Sequence, residues 1–595
     1  MAHRISQERA ETIIRQFHRL EAYFAERGIG RRQFLRLIAA GSAASTVLPV
    51  LVACGAASDK DVADATAPAG GGTATSRPGS PTTGGTQPGT LGTGGAPKSG
   101  GTIIIGTLGE AQTINPLLVN ETEGTWRCRM LFGEFVELDP ASLKPSPGIA
   151  KEWIVSDDGR EVTFTLQDNV TFSDGTPLTA KDIEFTLYAI LKKETASPHA
   201  ARFLPIAGAS AYYEGKADTI SGIQVIDDKT IKLTTAEPYA ALLVNLRHLR
   251  PLPKHLLDGK NLREDAFFQN PVGAGPFMFK SWSTGQDFVA VRNPHYWEEG
   301  KPYLDGFTHR TIPDAQTLVI ALQTGQIHGT DYAQPTQAED LQKEEHLTVL
   351  TVPPGKDING WSFSQKNVEA LRDVRVRRAI AMAIDTERFA SDFLLGLGRP
   401  ANGPIAPGNW AYNENLKPIP YDPAEAKRLV EEAGVSGLTL KFTTNAGNHL
   451  REDWLTFTQQ SLAELGITVQ PDLKEWSQVV QSATEGTFEV ICPTWAGATY
   501  DPDELFDALG TDKPRNVFGY SNPEFDEVMQ KGRTTLDLDE RAKIYARAQE
   551  ILLADVPVFY AWDRPFIYVV SKDYEGYTNN IITLFQDLQD WTYVG

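Results

Sequence analysis

Six aromatic residues stand on glycine- and proline-rich stretches and are the side chains best suited to hold a ligand. They are Trp126 in NETEGTWRCRM, Trp361 in NGWSFSQKN, Trp410 and Tyr412 in PGNWAYNEN, and Trp495 and Tyr500 in PTWAGATYDPDELF. Rings on loops offer broad, flat contacts to peptide backbones, sugar faces or apolar ligands at low entropic cost. Taken singly, each ring suits a core better, since most tryptophans are largely buried. Taken together, on loops of separate segments, they point to a cleft. Catalytic groupings are missing. The ten histidines are scattered, with no HExxH and no pair at ligand spacing. There is no GxSxG elbow and no GxGxxG opening a helix after a strand. Asp501-Pro502-Asp503 and Asp537-Leu538-Asp539 are acidic enough for calcium, but neither continues into a calcium loop and each reads as a helix cap. No catalytic residue, metal or cofactor is expected. A dispersed catalytic site leaves no local trace, so an exported hydrolase or redox enzyme stays open at this point.

The elements that must position these residues alternate between strands and helices. GTIIIGTLGE is a nearly continuous apolar run, the pattern of a strand covered on both faces. WIVSDDGREVTFTL reads as a hairpin turning at Asp158-Gly159, and NVTFSDGTPLT repeats the device at Asp174-Gly175. A helix follows in LTAKDIEFTLYAIL, where Thr179 caps and Asp182 answers three residues on. In YDPAEAKRLVEEAG, Asp422 caps, Pro423 takes the first turn and Gly434 closes. Asn522, Pro523 and Gly532 are read the same way in SNPEFDEVMQKG, and DAQTLVIALQTG runs from Asp314 to Gly325. The mixture implies α/β lobes, with no internal repeat.

Of the 595 residues, 41% are hydrophobic and 22% charged, the make-up of an ordinary soluble globular protein. The body from Gly101 to Gly595 is too long for one core and suits two or three domains. A net charge of −20 argues against nucleic acid and anionic membrane surfaces as partners. Beyond Cys54 only Cys128 and Cys492 remain, too few for a disulfide scaffold; whether the two pair is left open. Residues 1–53 have the build of an export signal. Arg31 and Arg32, followed by Phe34 and Leu35, resemble a twin-arginine signal, and the uncharged run after them ends in Leu51-Val52-Ala53-Cys54, similar to a lipobox with Cys54 as the lipidated residue. The alternative is a transmembrane anchor, which the weak hydrophobicity disfavours. Residues 54–100 are almost all Gly, Thr, Ala, Ser and Pro, a composition that cannot offset its ordering entropy and reads as a disordered tether with a reach of about 40 Å.

Five ordered blocks then carry a family likeness. They are AKEWIVSDDGREVTFTLQDNVTFSDGTPLTAKDIEFTL; PVGAGPFMFKSW with RNPHYWEEGKPYLD; IPDAQTLVIALQTGQIHGTDY; LRDVRVRRAIAMAID with YDPAEAKRLVEEAG; and SNPEFDEVMQKGRTTLDLDERAKIYARAQEILLADVPVFYAW. In this order they resemble the extracytoplasmic solute-binding proteins of ABC importers, the family (family 5) that includes dipeptide, oligopeptide and nickel binders. The resemblance implies a two-lobed α/β fold of the periplasmic-binding-protein-like kind, type II, with an extra subdomain in the first lobe. Lobe I would comprise 101–142, 272–355 and 566–595, the extra subdomain 143–271, and lobe II 356–565. A monomer would close on a small-molecule solute and dock on permease subunits, performing no chemistry. It would be exported and anchored by lipid to the outer face of the cytoplasmic membrane, at the cell surface or in the periplasm.

The segments that face the cleft in this family supply Thr113 and Asn115, Tyr332, Asn359 with Trp361, and Arg515 with Asn516. These join Trp126, Trp410, Trp495, Tyr500 and Asp501 as the candidate ligand-binding residues. Peptide binders of the family pair the peptide amine with an aspartate in a block resembling W-x-x-D-Y-x-x-P. Here Trp495 and Pro502 keep their spacing, but Ala498 takes the charged position. A peptide is the expected solute, with an oligosaccharide or another neutral solute stacked on Trp495 and Trp361 as the alternative. A binder that signals to a membrane partner is a third possibility.

Overall fold

The computed structural model describes residues 99–595 other than 141, 495, 499 and 579–582, with no side-chain description over 353–357. The export and lipidation residues Arg31, Arg32 and Cys54, and the candidate Trp495, lie outside the described residues.

One mixed sheet of eleven strands runs through the body. At one end Thr102–Thr107 pairs in parallel with Gly306–Thr311 and Gly329–Ala333, and the antiparallel strands Asp287–Arg292 and Phe277–Trp282 extend the edge. Ile103 and Ile105 enter one core while Ile104 packs against another on the opposite face, which is why TIII reads as an unbroken apolar run. At the other end Thr439–Asn445 lies in parallel between Thr468–Lys474 and Val490–Ile491.

Two long strands join the ends: Leu347–Phe363, of 17 residues, and Val558–Ser571, of 14, paired antiparallel. Val352, Tyr568 and Val570 pack into the core of the first lobe, whereas Trp361, Phe363, Phe559 and Trp562 pack into that of the second. Each strand therefore belongs to both lobes and crosses between them. The ladder breaks between Val352 and Asp357 and again between Asn359 and Gly360. At the second break the strands approach so closely that a Cβ on Gly360 would collide with the Phe559 carbonyl.

A separate antiparallel sheet holds Ala150–Val155, Glu161–Leu166, Thr230–Thr234 and Ile223–Asp227. Its first two strands form the expected hairpin, with Gly159 at φ 66° in the turn. Val162, Phe164 and Leu166 share a core with Ile183, Leu187 and Ile190 of the helix Ala180–Leu191. That helix begins where the Thr179 N–H and hydroxyl both donate to the Asp182 carboxylate at 2.9 Å. Asp314, Asp422 and Asn522 cap their helices as read. Gly532 does not end its helix, which continues to Thr534. It is instead the place where the Tyr545 ring presses on the helix, 2.5 Å from where a Cβ would stand. Cys128 is a free buried thiol, so it makes no bond to the buried Cys492, and burial pushes its pKa up to about 12. Among the described residues no helix is long and apolar enough to cross a membrane.

Candidate solute-binding site

A cavity of about 440 Å³ lies between the lobes and draws its lining from both, and from the crossing strand at Arg564 and Phe566. Several contacts close its rims. The Trp476 indole N–H, from the second lobe, donates to Glu123 Oε2 of the first at 3.3 Å, and Gln112 Nε2 donates to the Ser477 carbonyl at 2.8 Å. On another part of the rim the Tyr239 hydroxyl donates to Asp503 Oδ2 at 3.0 Å, and Arg533 forks onto the same carboxylate at 2.8 and 2.9 Å. The Trp476, Gln112 and Tyr239 hydrogen bonds cross from one lobe to the other, so the lobes are together over the cavity.

One wall is acidic. The helix Thr122–Phe132 presents its N-terminal end to the cavity, with Glu121 as the cap accepting from the Gly124 N–H at 2.9 Å. Burial, with Glu123 beside it, holds the Glu121 carboxyl well above the usual carboxylate range. Glu123 Oε1 accepts from the Tyr332 hydroxyl, and Trp126 lies one turn further along. The Trp126 indole donates to the Phe585 carbonyl at 3.0 Å and packs edge-on against Phe307 and His309.

The facing wall is basic. Two short helical turns of the first lobe, Ala200–Phe203 with His199 at its cap and Leu246–His248, bring His199 and Arg202 against Arg247 and His248. The two imidazoles stack at 5.0 Å, and burial together with the neighbouring guanidiniums pushes both well below the ordinary histidine range. The Arg247 guanidinium lies 3.6 Å over the Tyr500 ring of the second lobe. Arg129 also lines the cavity but is already paired, at 3.1 Å to Glu137 and 3.8 Å to Glu134.

The sequence candidates are split by this geometry. Trp126, Tyr332 and Tyr500 line the cavity together. Arg515 stands just outside the lining, near enough for its charge to lower the basicity of His199 and Arg202. The others sit elsewhere, each for a local reason. Trp361 is fully buried in the second lobe's core, its indole N–H on the Thr458 hydroxyl at 2.9 Å. Asn359 is buried beside it on the crossing strand. Trp410 packs on Tyr545 and under Arg541. Asp501 is held by Arg541 at 2.8 Å and caps the turn at the Asp503 N–H. Asn516 donates to three carbonyls of its own loop, those of Leu509, Gly510 and Tyr520. Thr113 and Asn115 build a turn, Asn115 Oδ1 accepting from the Leu117 N–H at 3.0 Å. Trp476 and the four residues of the basic wall went unread. The signal for the latter was present: SPHAARF and LRHLRPL are two basic segments in a strongly acidic chain. Among the described residues no group of three or more His, Cys, Asp or Glu is placed to hold a metal ion.

Two α/β lobes, joined by two crossing strands and enclosing a charged cavity, define a bilobal solute-binding protein. Residues 144–516 match the model of the bacterial extracellular solute-binding proteins, family 5. The oligopeptide-binding protein AppA of Bacillus subtilis is 28% identical over 525 residues, covering 84% of this chain and 92% of AppA. The solved structure of AppA in complex with a nonapeptide superposes with a TM-score of 0.77 at 25% identity, over 84% of this chain and all of that one. DppA of Helicobacter pylori, solved in complex with the peptide STSA, gives 0.74 at 26% identity over 84% of this chain and 99% of that one. The chain belongs to family 5 of the bacterial extracellular solute-binding proteins, which are transport proteins and not enzymes.

Proposed function

We propose that the protein captures a peptide or peptide-like solute between its lobes, outside the cytoplasmic membrane, and delivers it to the permease of an ABC importer. The observation that carries this reading is a cavity with carboxyl side chains on one wall, Glu121 and Glu123, and guanidiniums on the other, Arg202 and Arg247. Such an arrangement suits a zwitterion better than a neutral sugar. Ala498 is buried, gives its N–H to the Pro404 carbonyl at 3.1 Å and stands outside the lining. The peptide ammonium would therefore fall to Glu121 and Glu123. The peptides bound to AppA and DppA support the same choice. The two crossing strands support a hinge near residues 355 and 566, between a first lobe of 101–142, 272–355 and 566–595, with its 143–271 subdomain, and a second of 356–565. A thermal-shift screen of the purified protein against short peptides and oligosaccharides tests the reading. Peptides should raise the melting point by mass action, and a response confined to oligosaccharides would replace peptide by sugar.

We infer also that the twin-arginine segment exports the chain and that Cys54 carries the lipid that tethers it. Cys54→Ser should release the protein from membranes or leave it unprocessed. Normal processing with normal membrane retention, read by fractionation and mass of the N-terminus, would remove the anchor.

A further inference from the structure

On the rim of the cavity beside Asn448 the backbones of the two lobes touch. Asp314 caps the first-lobe helix Ala315–Gln323, whose Leu318 shares a core with Ile567. Asn448 caps the second-lobe helix His449–Ala463, whose Trp454 shares a core with Trp361. The Ala315 N–H donates across to the Gly447 carbonyl at 3.4 Å. Gly447 has a φ of 81°, and a Cβ on it would collide with the Pro313 carbonyl, so glycine lets the two helix starts come this close. His449 stands at that junction. Its Nε2 is 3.6 Å from Asp314 Oδ2 of the first lobe, and its Nδ1 is 3.2 Å from Glu452 Oε2 of its own helix.

Both carboxylates are anchored with one oxygen toward the ring. Asp314 Oδ1 accepts from the Thr317 N–H and hydroxyl at 2.7 and 2.8 Å, and Glu452 Oε1 accepts from the Gly447 N–H at 2.8 Å. The second oxygen of each meets the imidazole. Asp453 is a third acid whose charge interacts with His449. Arg451, the neighbouring cation, turns to Asn445 at 2.9 Å and to the Trp476 ring. Helix N-termini disfavour a cation, and the three carboxylates offset the two that meet here. A neutral imidazole has one N–H and serves one carboxylate, while its bare nitrogen faces the other. The protonated ring has two and serves both. One of these partners rides on the helix of His449 itself; the other sits on the opposite lobe. The proton is thereby coupled to closure.

We propose that His449 is a proton-operated clasp: charged, it links Asp314 of the first lobe to the second, so the protein holds its solute more tightly in acid surroundings. The assignment rests on the reading of the cavity as a solute site and adds regulation to it. The sign follows from the charge. An imidazole gains its proton as pH falls from about 8 to about 5, and the cross-lobe attraction grows with it. The closed form is favoured at the acid end, and the advantage fades as pH rises. Both side chains are half exposed, so the coupling is modest, about two- to five-fold in affinity. Glu121, whose carboxyl burial holds well above the usual range, titrates in the cavity too, and its protonation weakens the hold on an ammonium. The clasp is therefore read as a difference between variants at each pH.

Calorimetry of trialanine binding to the purified full chain, at about pH 5.5, 6.5 and 7.5, tests it. From the highest to the lowest of these, the affinity ratio of wild type to His449→Gln should rise about two- to five-fold, and about 1 M salt should flatten the rise. Asp314→Asn keeps the helix cap, since asparagine caps as well as aspartate, but removes the cross-lobe charge. It should lose the rise as His449→Gln does, with its ligand-free melting point nearly unmoved. Small-angle scattering of the ligand-free chain makes the same comparison without a solute. The wild type should be more compact at the acid end by a margin that both variants lack. Parallel pH profiles for wild type and His449→Gln, or a rise that persists in Asp314→Asn, would overturn the clasp and leave solute capture standing. Trialanine that binds at no pH counts against the peptide reading alone, and the scattering comparison then decides the clasp.

Discussion

Trp361→Ala should lower the stability of the protein by about 3–5 kcal/mol and leave the solute affinity of the folded molecule unchanged. The indole is fully buried, stacked 6.1 Å from Trp454 at 18° and edge-on to Phe442 at 4.7 Å. Truncation opens a cavity between these rings and leaves the Thr458 hydroxyl without its partner at 2.9 Å. Trp361 also lies on the crossing strand opposite Phe559, so the loss is felt where the second lobe joins the hinge. Urea unfolding followed by circular dichroism reads the stability, and calorimetry at a temperature where the variant is folded reads the affinity. A weakened affinity with an unmoved unfolding midpoint would return Trp361 to the solute site.

That single residue shows where sequence reading succeeds and where it stops. Helix starts are decided within one turn, so Asp314, Asp422 and Asn522 were legible from their neighbours alone. The hairpin at Asp158-Gly159 was legible for the same reason. Gly532 was misread as a helix end because its reason for being glycine, the Tyr545 ring, lies on the next helix. The aromatics read as loop residues divided likewise: Trp126, which stands on a helix, and Tyr500 line the cavity, whereas Trp361, which stands on the crossing strand, and Trp410 turn to cores, and the residues beside each do not record the direction. The ordered family blocks were long enough to imply the bilobal fold. The basic wall was not legible as a wall, because it joins residues near 200 and 247 and meets Arg515 only once the chain has folded and closed.

Trp476→Ala should weaken solute binding by roughly 30- to 1000-fold, the range expected when a central aromatic anchor of an interface is removed. Trp476 is the first residue of the helix Trp476–Glu485 in the second lobe, half-buried, with one side packed against that lobe's core. Its other side meets the first lobe: the indole N–H reaches Glu123, and the ring lies so close to Gly109 that a Cβ there would stand 2.6 Å away. The Arg451 guanidinium lies 5.6 Å from the ring and helps hold it. The contacts with Glu123 and Gly109 cross between the lobes, so their loss raises the free energy of the closed form more than that of the open form. Trp476→Phe keeps most of the ring contact but loses the hydrogen bond, and should fall between wild type and Trp476→Ala. Calorimetry measures the affinities, and small-angle scattering should show the Trp476→Ala variant more open at a solute concentration that closes the wild type. The ligand-free melting point separates this from unfolding, since losing one side of a half-buried ring should lower it only modestly. Unchanged affinity, or a large drop in that melting point, would mean that the indole supports a lobe and not the clasp between the two.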